Sequence, residues 1–309
     1  MRRVAYQGAA LAVAVAAAWF LIANTAANLE ERRIASGFGF LAREAGFEIG
    51  ESAFLRYGAS DSYLRALAVG LGNTLSVAAI GIVLATGLGT GIGLSRLSGN
   101  ALLRFLSVGY IEFIRNVPLL VQLFFWYAVI TEALPHPREA LEPLPGVYFS
   151  NRGVFFPTLS SAPVLQGFNF AGGAAVSPEF AALLIGLVTY TAAFIAEIVR
   201  AGILAVDRGQ SEAAFALGLS RGLTTRLVVL PQALRVIVPP MTSQYLNLTK
   251  NSSLAVAIGY PDLVSIANTT INQTGQAIEG IAIIMAVYLS ISLSISAFMN
   301  WYNARVGLR

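Results

Sequence analysis

The sequence predicts an all-α membrane protein, and its composition, its long apolar runs and its few ionisable residues are the observations that predict it. Of the 309 residues, 56% are hydrophobic and only 12% are charged, and the mean hydropathy is +0.68. These values lie far from those of soluble globular domains. Apolar runs of about 20 residues, the length that crosses a bilayer as a helix, recur along the chain. We therefore expect a bundle of transmembrane helices.

Six apolar spans account for most of the chain, and they cover residues 5–28, 67–94, 105–134, 180–203, 236–258 and 278–301. Six spans place both termini on one side of the membrane. If that side is cytoplasmic, eleven of the twenty basic residues lie there, as the positive-inside bias favours: Arg2, Arg3, Arg96, Arg104, Arg200, Arg208, Arg221, Arg226, Arg235, Arg305 and Arg309. The opposite orientation would export most of this charge.

The first span has two interpretations. Met1-Arg2-Arg3 precedes an Ala/Val run, and small residues follow at residues 23–27, so the span could be a cleaved signal peptide. The apolar run is long for a signal peptide, which favours a retained transmembrane helix.

Two connecting segments lie on the opposite, periplasmic side in this orientation. Residues 30–65 mix arginines and carboxylates with Phe and Leu, which indicates an amphipathic surface segment. Residues 135–178 are rich in Pro, Gly and Ser and show no convincing periodicity, so we expect an irregular cap.

The segment from Glu212 to Pro231 is a polar stretch between two apolar runs. Asp207 and Gln210 are spaced like a capping box at a helix start, Gly218 is typical of a helix end, and Ser220 can start a second helix. The first of these helices carries one face of small side chains with a carboxylate in its first half: Glu212, Ala213, Ala214, Leu217 and Gly218. Such a face admits close approach by another protein; the alternative is an ordinary loop helix.

This segment resembles the EAA loop of ABC-importer permeases, which reads Glu-Ala-Ala, three residues, Gly, nine residues, Ile, one residue and Leu-Pro. The residues that fill this pattern are Glu212-Ala213-Ala214, Gly218, Val228 in place of Ile, and Leu230-Pro231. In that family the loop is a coupling helix that fits a cleft on the ATP-hydrolysing subunit and transmits its closure to the membrane helices. The resemblance implies the same role for Glu212, Ala213, Ala214, Leu217 and Gly218.

Other strings are similar to the polar-amino-acid members of that family over roughly residues 67–300. They are Asn73-Thr74-Leu75, the run from Glu112 to Gln122, Tyr190–Phe194 with Glu197, Arg200 and Gly202-Ile203, and Lys250-Asn251-Ser252-Ser253-Leu254. The string from Ile34 to Phe40 resembles, more specifically, one permease of general L-amino-acid uptake systems.

The resemblance implies a type I ABC-importer permease fold, also called MetI-like, with five core helices and an extra N-terminal helix. Residues 1–66 would hold that helix and the outer segment, and residues 67–309 the core, with the coupling loop at about 204–235. The implied function is that of a permease subunit in an ATP-driven, binding-protein-dependent amino-acid importer of the bacterial inner membrane, working by alternating access. The implied partners are a dimer of ABC ATPase subunits that bind ATP and magnesium, a second permease of different sequence, a periplasmic amino-acid-binding protein and membrane lipid.

Among the ionisable residues inside or at the ends of apolar spans, four are of particular interest: Glu112, Arg115, Glu197 and Lys250. A charge is costly there and usually faces a cavity or a partner. An amino-acid zwitterion needs both an anionic and a cationic partner, so these residues are candidates for the pathway. The alternatives are structural ion pairs and snorkelling arginines, and Glu197 could pair with Arg200 on the same helical face.

Polar residues beside prolines complete the set of candidates. Pro118 interrupts the helical hydrogen bonds of the third span next to Asn116, which would leave carbonyl groups free near a path. The fifth span carries a polar patch after Pro239-Pro240. This patch either lines the pathway or forms the interface between two subunits. The candidate translocation-pathway or substrate residues are Arg115, Asn116, Glu197, Lys250 and Asn251.

The sequence argues against chemistry on this chain itself. Its single lysine, Lys250, has no preceding glycines at P-loop spacing, so ATP hydrolysis belongs to another subunit and no cofactor is expected here. With no cysteine and only His136, thiol chemistry and most transition-metal sites lack ligands. The net charge of +4 fits a polytopic protein rather than nucleic-acid binding.

Two other functions remain open at this stage. A stand-alone, ion-coupled secondary transporter of amino acids would show inverted repeats, which are not evident between residues 67–180 and 181–303. A non-transporting sensor or scaffold would not readily explain the proline-interrupted, polar helices.

Overall fold

The computed structural model describes residues 2–31 and 36–307, and within them the chain forms ten α-helices and six short β-strands. The helices are α1 (Arg2–Glu31), α2 (Tyr63–Arg96), α3 (Ala101–Asn116), α4 (Leu119–Ala128), α5 (Pro178–Leu204), α6 (Arg208–Ala216), α7 (Arg221–Thr224), α8 (Leu230–Asn251), α9 (Leu263–Thr274) and α10 (Ala277–Gly307). The strands are β1 (Leu141–Leu144), β2 (Val147–Ser150), β3 (Gly153–Phe156), β4 (Val164–Gln166), β5 (Asn169–Ala171) and β6 (Ala174–Val176).

Four helices of the described chain are long and apolar enough to cross a membrane: α1 over Tyr6–Thr25, α2, α5 and α10. Two bent pairs bring the number of candidate spans to six. Helices α3 and α4 meet at 104°, and the unit from α7 to Ile258 meets α9 at 53°. The six predicted spans are therefore present, and the third span bends at Pro118, where the sequence predicts an interruption. Arg309, one of the charges used to orient the chain, lies outside the described residues.

In helix α1, none of the residues whose exposure the structure describes within the membrane-length window is buried. The predicted first span is thus a helix, which agrees with both interpretations of that span.

Helices α2 and α5 form the centre of the bundle and run parallel, because Gly81 of α2 faces Leu184 of α5, and Gly93, further along α2, faces Ala196, further along α5. Their most buried residues include Val77, Ala85, Leu183 and Ile195, all fully buried. Helices α3, α4, α8 and α9 pack against this pair, and α10 packs on α8 and α9. One end of the bundle carries α6 and α7, and we call it the EAA end; the other carries the strands, and we call it the sheet end.

The linker segment, residues 36–62, folds onto the sheet end. Phe40 is 2% exposed and Ala45 is 3% exposed, and both pack with Tyr63 and with residues of α9, whereas Arg43 faces solvent. The predicted amphipathic character of this segment is present, but its only helix among the described residues is the short 3-10 turn Phe38–Ala42. Arg32, Arg33 and part of the Ile34–Phe40 string lie outside the described residues.

The prediction of an irregular cap over residues 135–178 is wrong. The strands form an antiparallel sheet in the order β1-β2-β3-β6 and a separate hairpin of β4 and β5. Tyr148, Phe155 and Phe170 hold the two together, with ring centroids 4.5 and 5.0 Å apart. Glycines at positive φ, such as Gly146 at +78° and Gly167 at +63°, make the tight turns between strands.

Candidate coupling loop and translocation face

The EAA loop follows directly from the central helix α5. Asp207 caps α6, its Oδ1 accepting a hydrogen bond from Gly209 N at 2.7 Å. The predicted capping box is only half made, because Gln210 Oε1 accepts from Gln232 Nε2 at 3.3 Å instead of returning to the helix start. That contact ties α6 to the first turn of α8.

The predicted end of α6 is confirmed. Gly218 has φ +83°, and Leu219 N donates to Ala214 O at 3.1 Å, which closes the helix in a left-handed turn. Ser220 then caps α7, accepting from Leu223 N at 3.5 Å. The loop is thus two short helices joined by a tight turn.

The small-residue face of α6 is exposed at all but one of its predicted members. Leu217 is 82% exposed, and Glu212, Ala213 and Gly218 also face solvent, whereas Ala214 is 4% exposed and packs inward. Phe215, which the sequence reasoning missed, is 47% exposed beside them. Its signal was an aromatic residue in an otherwise small or polar helix. Exposed apolar side chains on a projecting polar loop are typical of a docking surface.

Helix α8 carries a polar stripe on its exposed side. Ser243, Asn247 and Lys250 are exposed and spaced four and three residues apart, so they share one helical face. The three ion pairs among the described residues do not include Lys250. Asn251 is half-buried at the end of the same helix. A polar face on a membrane helix must meet water or another subunit.

The rest of the predicted polar patch is internal. Thr249 and Ser252 are buried, and their hydroxyls donate to the backbone of their own helix, to Tyr245 O at 2.8 Å and to Thr249 O at 2.7 Å. The structure therefore divides the patch into an exposed stripe and a set of helix-bonded side chains.

Arg115 and Asn116 lie at the bend between α3 and α4. Arg115 is exposed, and its guanidinium carbon lies 5.1 Å from the ring centroid of Phe194 on α5. Asn116 Nδ2 donates to Glu112 O at 2.6 Å. The Phe194 ring therefore positions the Arg115 side chain, and the Glu112 carbonyl positions the Asn116 side chain.

The expectation that Pro118 leaves free carbonyls near a path is corrected for two carbonyls at the bend. The buried Gln122 reaches back over the bend, and its Nε2 donates to Ile114 O and to Val117 O, both at 3.0 Å. An amide donor four residues after a proline was the signal for this contact. The bend is therefore a fixed corner.

Glu197 is held by two arginines. Its carboxylate pairs with Arg96, the last-turn residue of α2, and with Arg200 on its own helix, whose Nε lies 3.1 Å from both carboxylate oxygens. The sequence-based alternative of a Glu197–Arg200 pair is present, and Arg96 is an additional partner. Glu197 lies within two turns of the EAA end, whereas Lys250 lies in the last turn of α8, near the level of the middle of α2, where Leu248 faces Gly81. The chain does not bring these two candidates together.

Comparison with known proteins shows to which family the chain belongs. The family model described as "Binding-protein-dependent transport system inner membrane component" matches residues 80–308. The chain belongs to this family of multi-pass membrane permease subunits, and its predicted MetI-like fold is confirmed.

Two relatives and one solved structure are similar to most of this chain. The chain is 43% identical to the general L-amino acid transport system permease protein AapQ of Rhizobium johnstonii, over 99% of this chain and 92% of AapQ. It is 36% identical to the glutamate/glutamine/aspartate/asparagine transport system permease protein BztB of Rhodobacter capsulatus, over 100% of this chain and 94% of BztB. Among solved structures it resembles an amino acid ABC transporter crystallised with histidines, with a TM-score of 0.58 and 27% identity, over 79% of this chain and 95% of that one.

Proposed function

We propose that the chain is the permease subunit of an ATP-driven, binding-protein-dependent amino-acid importer that works by alternating access. The names of its relatives support the substrate class. The observation that carries the proposal is the exposed face of α6, where Glu212, Ala213, Leu217 and Gly218 project beyond the membrane bundle in the EAA pattern. In this proposal residues 67–309 form the permease core with its coupling loop at about 204–235, and residues 1–66 add one helix and the linker segment.

The two ends of the bundle then face different partners. The EAA end is cytoplasmic, together with both termini, and meets a dimer of ATPase subunits that bind ATP and magnesium. The sheet end is periplasmic and receives the amino-acid-binding protein. A second permease of different sequence completes the pathway, and lipid surrounds the pair.

The exposed polar stripe of α8 is our candidate for the pathway surface. Lys250 offers an ammonium group to a substrate carboxylate, and Asn251 is an adjacent polar group. Arg115 and Asn116 lie at the corner between α3 and α4 and line the other wall. Glu197 is engaged by Arg96 and Arg200, so we assign it a different role below.

The coupling part of the proposal is tested by reversing one charge. Glu212→Lys should leave the chain inserted in the membrane but abolish ATP hydrolysis stimulated by the binding protein. Glu139→Lys, which reverses an exposed carboxylate at the sheet end, is the matched control for expression and for recovery of the ATPase. Unchanged stimulation in Glu212→Lys would remove this residue from coupling.

The pathway part is tested separately with Lys250→Gln. In proteoliposomes, uptake should fall while assembly with the ATPase remains at the wild-type level, because the stripe lies far from the coupling loop. Asn268→Ala, at an exposed position of α9, is the control. Wild-type uptake in Lys250→Gln would exclude a pathway role. Uptake by the chain alone, driven by an ion gradient, would instead favour the secondary transporter.

A further inference from the structure

We propose that Glu197 is a positioning residue that locks α2 to α5, so that the two helices move as one rigid unit and carry the displacement of the coupling loop to the sheet end. The inference rests on the proposed function, since it concerns how the coupling loop acts.

The first observation is a close backbone contact. Gly89 and Gly93 are one turn apart on α2, and they face Ala192 and Ala196, which are one turn apart on α5. A methyl group added to Gly93 would lie 2.6 Å from Ala196 O, and one added to Gly89 would lie 2.8 Å from Ala192 O. Small residues spaced by four allow such close approach between membrane helices. The contact leaves little room for the helices to slide.

The second observation is the ion cluster just beyond this contact. Arg96 lies three residues after Gly93, and Glu197 lies one residue after Ala196, so the Arg96–Glu197 pair closes the same helix contact. Arg200 binds the same carboxylate from the next turn of α5. The three side chains are only 21% to 28% exposed. Partial burial makes such pairs less screened than surface pairs.

The same stretch of α5 also holds α3. Tyr110 OH donates to Thr189 O at 2.6 Å, and the Arg115 guanidinium stacks on Phe194, one turn before Glu197. Removing the Glu197 charge would leave three arginines near one another without the carboxylate between them. They are Arg96 of α2, Arg115 of α3 and Arg200 of α5. Helix α2 would then lose its only ion pair to α5 among the described residues.

The short connection between α5 and α6 explains why a rigid α2–α5 pair would matter for coupling. Only Ala205, Val206 and Asp207 separate α5 from the coupling helix α6, so a push on α6 acts on α5 first. The lock passes that motion to α2. At the sheet end of α2, Asn73 binds Glu51 O and Pro261 O, both at 2.9 Å, and thereby reaches the linker segment and the start of α9. The path from the coupling loop to the sheet end thus runs through one rigid helix pair.

The test measures the distance between the two helices directly. The chain contains no cysteine, so a Leu94→Cys/Leu204→Cys pair places spin labels at two exposed positions, one at the EAA end of α2 and the other at the end of α5. Pulsed electron paramagnetic resonance is recorded in the resting and the ATP-bound complex, alongside uptake and ATP hydrolysis. The variants are Glu197→Gln, the charge swap Arg96→Glu/Glu197→Arg, and Glu132→Gln as a control at an exposed carboxylate.

We expect one distance in both states of the wild type and of Glu132→Gln. In Glu197→Gln the distribution should broaden, already in the resting protein, and uptake per ATP hydrolysed should fall several-fold; the charge swap should restore both. A distance in the wild type that changes between states, or an unchanged distribution in Glu197→Gln, would overturn the proposal. If the wild type shows no stimulated ATP hydrolysis, the proposed function fails, while the resting-state distances still decide whether Glu197 locks α2 to α5.

Discussion

Replacing Asn73 with alanine should release the linker segment from the helix bundle. Asn73 is fully buried in α2 and makes three hydrogen bonds with the backbone of other segments. Its Nδ2 donates to Glu51 O and Pro261 O, and its Oδ1 accepts from Ala53 N, all at 2.9 Å. The side chain therefore fastens two connections at the sheet end at once.

The size of the effect follows from these three bonds. At about 1 kcal/mol of net stabilisation for each, Asn73→Ala removes roughly 3 kcal/mol, and more where a buried backbone group is left without a partner. Two of these bonds hold the linker segment, so its local opening should cost about 2 kcal/mol less in Asn73→Ala and become roughly thirtyfold more frequent, since 1.4 kcal/mol corresponds to a factor of ten.

Hydrogen–deuterium exchange of the purified protein measures this opening. The protection of the Ala53 amide should fall roughly thirtyfold in Asn73→Ala, whereas α5 should exchange as in the wild type. Asn268→Ala removes an exposed amide side chain from α9 and serves as the control. Full protection of Ala53 in Asn73→Ala would refute the reasoning, because it would mean that packing alone holds the segment.

Two further predictions concern pH and helix packing. Burial, with the nearby Glu179 carboxylate adding to it, raises the pKa of Glu51, although a hydrogen bond with Ser177 opposes the shift. The folded state therefore binds this proton more tightly, and stability should fall as pH rises from 4.5 through the raised pKa of Glu51. Glu51→Gln should reduce this pH dependence in thermal unfolding, and an unchanged dependence would assign it to other groups. Gly70→Ala should destabilise the protein more than Gly186→Ala. The methyl group added at Gly70 would lie 2.9 and 3.0 Å from backbone atoms, whereas the one added at Gly186 would meet the movable end of a leucine side chain. Equal melting temperatures of the two variants would contradict this prediction.

The parts of the fold that sequence predicts well are those set by local chemistry. The starts of α6 and α7 at Asp207 and Ser220 and the turn at Gly218 were predictable because each depends on one residue type acting on backbone within a few positions. The apolar spans were predictable for a similar reason, since length and composition decide them.

The parts that sequence did not predict depend on distant partners. The sheet of residues 135–177 was missed because its strands are three or four residues long, too short to show alternation, and β6 pairs with β3 across the β4–β5 hairpin. The second partner of Glu197, Arg96, was missed in the same way, because it is 101 residues away and nothing local marks the pair. The bend at Pro118 was expected. The hydrogen bonds from Gln122 to backbone carbonyls at this bend were not, because they depend on how the chain turns there, which only the structure shows.

Co-purification of the tagged chain from its native membrane in mild detergent, with mass spectrometry of every stoichiometric partner, tests the central claim most directly. We predict recovery of an ATPase and of a second permease of different sequence. The ATPase should be lost from Glu212→Lys but retained by Glu139→Lys. Recovery of the chain alone, stable and without an ATPase, would contradict the account and favour a transporter that works without one.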